Sequence, residues 1–224
     1  MANIIYRKLT SIEPVVDYLI GVLTEMLTDN LKVLWLVPGG SAIKVAAAVS
    51  QSLSIENLAN LTVTLTDERF GPVDHLDSNW PQLKAAGFNL DGANLQPVLT
   101  GENLDETTGQ YARALAIDLR EADFSLALIG MGPDGHICGI KPKSPAVQSD
   151  ELTSSYKRDD FTRITITENV LKKLDEVVVY AVGQEKWPQL DNLDKELEPV
   201  RQPAQILKSL KKVIIYNDYK GEVT

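Results

Sequence analysis

The chain has 224 residues, 44% of them hydrophobic, enough to bury a full core within one domain spanning residues 1–224. A net charge of −9 and a pI near 4.8 exclude nucleic-acid or anionic-membrane binding driven by bulk electrostatics, but leave room for a small anionic ligand where cations cluster. A single cysteine, Cys138, excludes an internal disulfide or a cysteine-based cluster, and two histidines without paired spacing argue against zinc, so no metal is expected. The opening stretch "MANIIYRKLTSIEPVV" has no apolar signal core or cleavage pattern. No run approaches the roughly 18 apolar residues of a membrane span, so a cytoplasmic setting is expected.

In chain order, "LKVLWLVP" from Leu31 to Pro38 is almost continuously apolar, the pattern of a strand covered on both faces. Two glycines end it, and the alanine-rich "AIKVAAAVSQSL" then has helical spacing. "LTVTLTDER" is a second buried strand with a polar end, Asp105 to Glu121 an amphipathic helix with an acidic start, and "FSLALIGMGPDG" a third strand and turn. "QSDELTSSYKRDD", Gln148 to Asp160, is the most loop-like stretch and a candidate mobile lid. "RITIT", "EVVVYAVG" and "KKVIIYND" are further strands, with a short helix in "QEKWPQLDNL" interrupted near Pro188. Strands alternating with helices predict an α/β fold with a doubly wound, largely parallel sheet and helices on both faces. Ligands of such sheets bind beyond the carboxyl ends of the strands, where the segments at Gly39, Asp67 and Gly132 fall.

Three of these segments carry chemistry. In "VPGGSA", Gly39 and Gly40 let the backbone approach a ligand, the following helix start offers amides to a phosphate, and Ser41 either caps that helix or donates to the phosphate. Neither the P-loop nor the dinucleotide glycine pattern is present. In "TDERFGPVDHLDSNW", Asp67, Glu68 and Arg69 emerge at a strand end, either as a solvated charge cluster or as groups that orient a substrate and bind an oxyanion. His75 lies in a turn-rich polar stretch and suits a loop-organising role. In "GMGPDGHICGIKP", the turn presents Asp134 and His136 to the same crevice. A histidine whose reference pKa is about 6.5, with a carboxylate to fix its tautomer, is suited to general-base work. Cys138 has small apolar neighbours and suits a packed thiol better than a nucleophile.

Four motifs in one order, "PGGSA" at Pro38–Ala42, "DERFGPVDHLDSN" at Asp67–Asn79, "GMGPDGH" at Gly130–His136 and "RITIT…VVVYAVGQEK" from Arg163 to Lys186, resemble the superfamily of 6-phosphogluconolactonases and glucosamine-6-phosphate deaminases. The "DER" continuing to an Asp-x-x-Ser-Asn-like element resembles the lactonase branch more than the deaminases, which tend to have "DEY". The resemblance implies a three-layer α/β/α, modified Rossmann-like fold. It also implies hydrolysis of 6-phosphoglucono-1,5-lactone in the pentose phosphate pathway, without a cofactor, by a monomer or small homo-oligomer. By motif, His136 would activate water, Asp67 and Asp134 would orient substrate and base, and Gly39, Gly40 and Ser41 would hold the phosphate. Arg69, Gly135, Arg163 and Lys186 would join in binding substrate. The loop after the histidine departs from both branches: Lys141 stands where deaminases have a glutamate, and Ala42 where a threonine is common. Lys141 is either a solvated loop lysine or a cation facing the anionic substrate and base. An aminosugar-phosphate deaminase or isomerase and a non-catalytic sugar-phosphate sensor are the alternatives.

Overall fold

The apolar runs become strands because helices cover the sheet they form, leaving them no solvated face. The computed structural model describes residues 3–55, 58–158 and 160–224. In chain order the elements are β1 (Asn3–Lys8), α1 (Glu13–Thr28), β2 (Val33–Val37), α2 (Ile43–Ser52), β3 (Leu61–Leu65), β4 (Asp67–Arg69), α3 (Asn79–Ala85) and β5 (Asn94–Gln96). There follow α4 (Leu104–Glu121), β6 (Phe124–Gly130), β7 (Thr153–Lys157), β8 (Thr162–Ile166), α5 (Glu168–Leu171), β9 (Glu176–Ala181), α6 (Trp187–Asn192), β10 (Lys212–Asn217) and β11 (Glu222–Val223). Every residue of β2 and β9 is buried. Eight strands form a parallel sheet in the order β11-β1-β10-β9-β6-β2-β3-β5. From β2 the chain runs outward through β3 and β5, then returns to place β6 on the other side of β2 and continues to β9 and β10. The order therefore reverses between β2 and β6, and the crevice between their carboxyl ends is the place where such sheets bind ligands.

Helices α1, α2 and α3 pack in sequence against one another, while α4 packs against β7. The start of α4 is set by Asn103, whose side chain accepts from the Glu106 amide at 3.0 Å, with Asp105 and Glu106 in the first turn. The core runs from Leu9 to Tyr216 and includes Trp35, Leu65, Leu128 and Val179. No described helix is long and apolar enough to cross a membrane.

Four expectations are corrected. "DER" does not finish β3: the chain turns at Thr66, and Asp67–Arg69 pairs antiparallel with β8 in a separate sheet ordered β4-β8-β7. "RITIT" belongs to that small sheet and not to the parallel one. The stretch from Gln148 to Asp160, expected as loop, contains β7, paired residue for residue with β8; Asp159 lies outside the described residues. Pro188 does not interrupt a helix. It occupies the first turn of α6, where no intrahelical amide is needed, after a 3-10 turn at Gln184–Lys186.

Candidate active site

The glycine turn after β2 passes into a 3-10 turn at Gly40–Ala42 before α2 begins. Gly40 has φ +63°, and Gly39 lies so close to the Asn79 side chain that a Cβ there would come within 2.4 Å of it. Ser41 does not cap α2; its hydroxyl is exposed and lies 3.4 Å from the Lys186 ammonium. Lys186 is buried, also donates to the Val182 carbonyl at 2.8 Å, and burial lowers its pKa against the opposing influence of Glu185 and Asp218. A desolvated ammonium beside a serine hydroxyl and a glycine turn is well placed to receive an anion.

The turn after β6 is built around the histidine. Gly132 donates its amide to the His136 carbonyl at 2.9 Å, Gly135 to the Gly132 carbonyl at 3.0 Å, and Met131 and Ile137 form an antiparallel bridge. Gly135, at φ +78°, makes the reversal; it faces Gln189 and Gln202, and its carbonyl accepts from the Ala204 amide at 2.9 Å. The imidazole lies against Gly132, where a Cβ would sit 2.1 Å from the ring. Asp134 receives the His136 Nδ1 at 2.5 Å and its backbone amide at 3.1 Å through the same oxygen. Burial opposes ionisation of Asp134, but the His136 hydrogen bond and charge, with help from Lys141, hold the carboxyl down at about 2. The pair therefore contains a carboxylate that fixes Nδ1 and leaves Nε2 for other work.

Because β4 alternates faces, Asp67 and Arg69 point one way and Glu68 the other. Asp67 accepts from the Thr66 hydroxyl at 3.0 Å. Burial raises its pKa, offset in part by Thr66, His136, Arg163 and Arg69. Glu68 is fully buried and accepts from the Ser78 hydroxyl (2.8 Å) and the amides of Asn79 (2.6 Å) and Trp80 (3.2 Å), fastening the start of α3. Arg69 stands opposite Arg163 in the β4–β8 register, and both guanidiniums lie over the Phe161 ring, at 4.7 and 5.5 Å from its centroid. Arg163 holds Asp160 with both terminal nitrogens, at 2.8 and 2.6 Å, and Lys141 lies 3.7 Å from the same carboxylate. Those bonds from Arg163 keep Asp160 below the usual carboxylate range. The glycine turn, Lys186, His136, Asp67, Arg69, Arg163, Asp160 and Lys141 line one cavity of about 420 Å³ at the carboxyl ends of β2 and β6. A sequence model of the family described as glucosamine-6-phosphate isomerases/6-phosphogluconolactonase matches residues 8–215.

The chain belongs to this family. Among its relatives, the 6-phosphogluconolactonase of Synechocystis is 31% identical over 153 residues, covering 63% of this chain and 64% of that protein, so the matched part falls just short of two thirds of the relative's length. The bovine 6-phosphogluconolactonase is 28% identical over 189 residues, 76% of this chain and 71% of the relative. The crystal structure of the Thermotoga maritima 6-phosphogluconolactonase superposes with a TM-score of 0.80 at 23% identity, over 96% of this chain and 99% of that one. The Trypanosoma brucei 6-phosphogluconolactonase gives a TM-score of 0.74 at 18% identity over 97% of both chains. At these identities the two structures show a shared fold.

In this family member the cavity gathers Gly39, Gly40, Ser41, Asp67, Arg69, His136, Lys141, Arg163 and Lys186 from five separate stretches of sequence. Asp134 stands behind His136 and not on the cavity wall, which suits an orienting role toward the base and not toward substrate. Gly135, expected among the substrate-binding residues, shapes the turn instead. Lys141 is a wall residue and not a solvated loop lysine, with 21% of its side chain exposed. His75 bonds the Arg69 carbonyl through Nε2 at 2.8 Å and organises the loop after β4, as its surroundings predict. Cys138 also lines the cavity, but burial and the Asp67 charge push its thiol well above the ordinary value, so it is no ready nucleophile. Sequence reasoning missed Asn79, Asp160, Phe161 and Glu185 on the wall. Only Asn79 had a local signal, its place at the end of the quoted "DERFGPVDHLDSN" element.

Proposed function

We propose that this protein hydrolyses 6-phospho-D-glucono-1,5-lactone to 6-phosphogluconate, with His136 as the general base. The observation that carries this reading is the Asp134–His136 pair, held against Gly132 on a cavity that also contains the glycine turn and Lys186. The relatives' lactonase names agree with it. With Nδ1 committed to Asp134, Nε2 takes the proton of a water as its oxygen bonds to the lactone carbonyl carbon. Negative charge gathers on the carbonyl oxygen, within a cavity whose walls include Arg69, Arg163 and Lys141. The bond from that carbon to the ring oxygen then breaks, and the imidazolium returns its proton to the departing oxygen. The acid formed ionises to a carboxylate. Gly39, Gly40, Ser41 and Lys186 receive the phosphate, and Asp67 orients the sugar.

A cytoplasmic protein of one domain over residues 1–224, monomeric or a small homo-oligomer and acting on a small anionic substrate, fits the same reading. An aminosugar-phosphate reaction fits less well, because Lys141 brings an ammonium to the wall where that chemistry uses a carboxylate. The test is a coupled assay of lactone hydrolysis, corrected for spontaneous opening, on wild type and His136→Ala. We expect clear acceleration by wild type and a loss of about 10²- to 10⁴-fold in the variant. A wild-type rate equal to background would overturn the reaction, and an unimpaired variant would remove His136 from it.

A further inference from the structure

The cations on the cavity wall fall into two groups. Lys186 stands with Ser41 at the glycine turn. Arg163, Lys141 and Arg69 form the second: Arg69 stands opposite Arg163 in the β4–β8 register, and Arg163 and Lys141 are both already engaged by one carboxylate, that of Asp160. This carboxylate is well fixed: it takes two hydrogen bonds from Arg163, one from the Phe161 amide at 2.9 Å, and the nearby charge of Lys141. Arg163 is itself buried, with 8% of its side chain exposed, while Asp160 remains 44% exposed on the wall. The group lies at the histidine end. Lys141 follows His136 through the turn in which Ile137 bridges Ile140, and Gly139 in that turn lies against Asp67 and Thr165, the latter two residues along β8 from Arg163.

Hydrolysis of a lactone turns a neutral ester carbonyl into a carboxylate at the carbon the water attacks. The ligand therefore gains a negative charge next to His136 as the reaction completes. An unoccupied arginine–lysine pair there would grip the product's carboxylate in the bidentate manner and hold the product more tightly than the substrate. Building on the lactonase reading, we infer that Asp160 is a specificity-determining residue that fills this carboxylate position from within the chain, so that the site accepts the neutral lactone end and rejects the acid made from it.

The test compares two ligands by calorimetry: gluconate 6-phosphate, and glucitol 6-phosphate, which has a hydroxymethyl group in place of the carboxylate. In Asp160→Asn, gluconate 6-phosphate should bind at least about tenfold more tightly, since a unit charge a few ångströms away in an effective dielectric of about 20 is worth more than that factor. Glucitol 6-phosphate should change by less than about threefold, and Asp160→Glu should keep the wild-type ratio. Equal tightening of both ligands would place Asp160 at the phosphate end and overturn the inference, as would no tightening of gluconate 6-phosphate. Should Asp160→Asn fail to fold, Asp160→Ser is read on the same ratio: selective tightening of gluconate 6-phosphate supports the inference, and equal or no tightening of the two ligands refutes it. Wild-type lactone turnover, measured separately, tests the reaction itself, so its absence is not confused with the binding ratio.

Discussion

Replacing Asp134 by asparagine tests the base directly while leaving the size of the side chain unchanged. The carboxyl falls from 3.8 to about 2, which at about 1.36 kcal/mol per tenfold change in proton affinity is worth at most about 2 kcal/mol of coupling to its surroundings, His136 foremost. With 43% of the side chain exposed, solvent screening reduces this to about 1 kcal/mol. A carboxylate 2.5 Å from Nδ1 stabilises the imidazolium formed as water attacks, and about 1 kcal/mol of that stabilisation is about fivefold in the rate of the chemical step. Asparagine adds a second defect. Its amide can donate to Nδ1 and so place the ring proton on Nε2, where the base must be free. Together these give an expected fall in kcat of about 10²-fold, with KM changed by less than about threefold and partial recovery in Asp134→Glu. Steady-state kinetics of the three proteins at pH 7 measure it. A kcat within about threefold of wild type in Asp134→Asn would refute the dyad.

Gly132→Ala should lower kcat by at least about 10²-fold with little loss of thermal stability, because the new methyl claims space 2.1 Å from the imidazole while Gly132 itself has no positive φ to strain. Kinetics and a melting curve on the same sample check both halves, and full activity would mean that the ring need not lie where it does. Asp67→Asn should lower activity yet raise the melting temperature at pH 7. Burial raises the Asp67 pKa in the folded state, so ionisation costs more folded than unfolded, and wild type gives up that stability as pH rises through the raised value. Below 3.8, the ordinary value, both states are protonated and the variant's advantage should vanish. Scanning calorimetry from pH 3 to 8 follows the difference, and a pH-independent offset would contradict the cause given.

The parallel strands were legible because their apolar runs have no polar face: Val33–Val37 and Phe124–Gly130 could be buried only between layers. The glycine turns that end them set Gly39 and His136 at one edge of the sheet. The small antiparallel sheet was not legible. Nothing within "LTVTLTDER" shows that the chain leaves one sheet at Thr66 to pair with residues nearly a hundred positions later. The same limit hid part of the cavity wall. Asp160 and Phe161 matter only because the register sets Arg69 opposite Arg163, a relation between distant residues that composition and periodicity do not contain. Lys141 was noticed as an odd residue, but its partner lies 19 positions away across a turn and a strand.

The alternation along β4 also bears on how mutational surveys of this chain would be interpreted. Glu68 does not line the cavity, yet it ties down the amides of the helix that carries Asn79 and sits between two residues that do. A survey scored on activity alone would rank positions 67, 68 and 69 together as one catalytic triplet. Scored on abundance as well, the triplet would separate by parity: loss at 68 would follow the amount of folded protein, and loss at 67 and 69 would not.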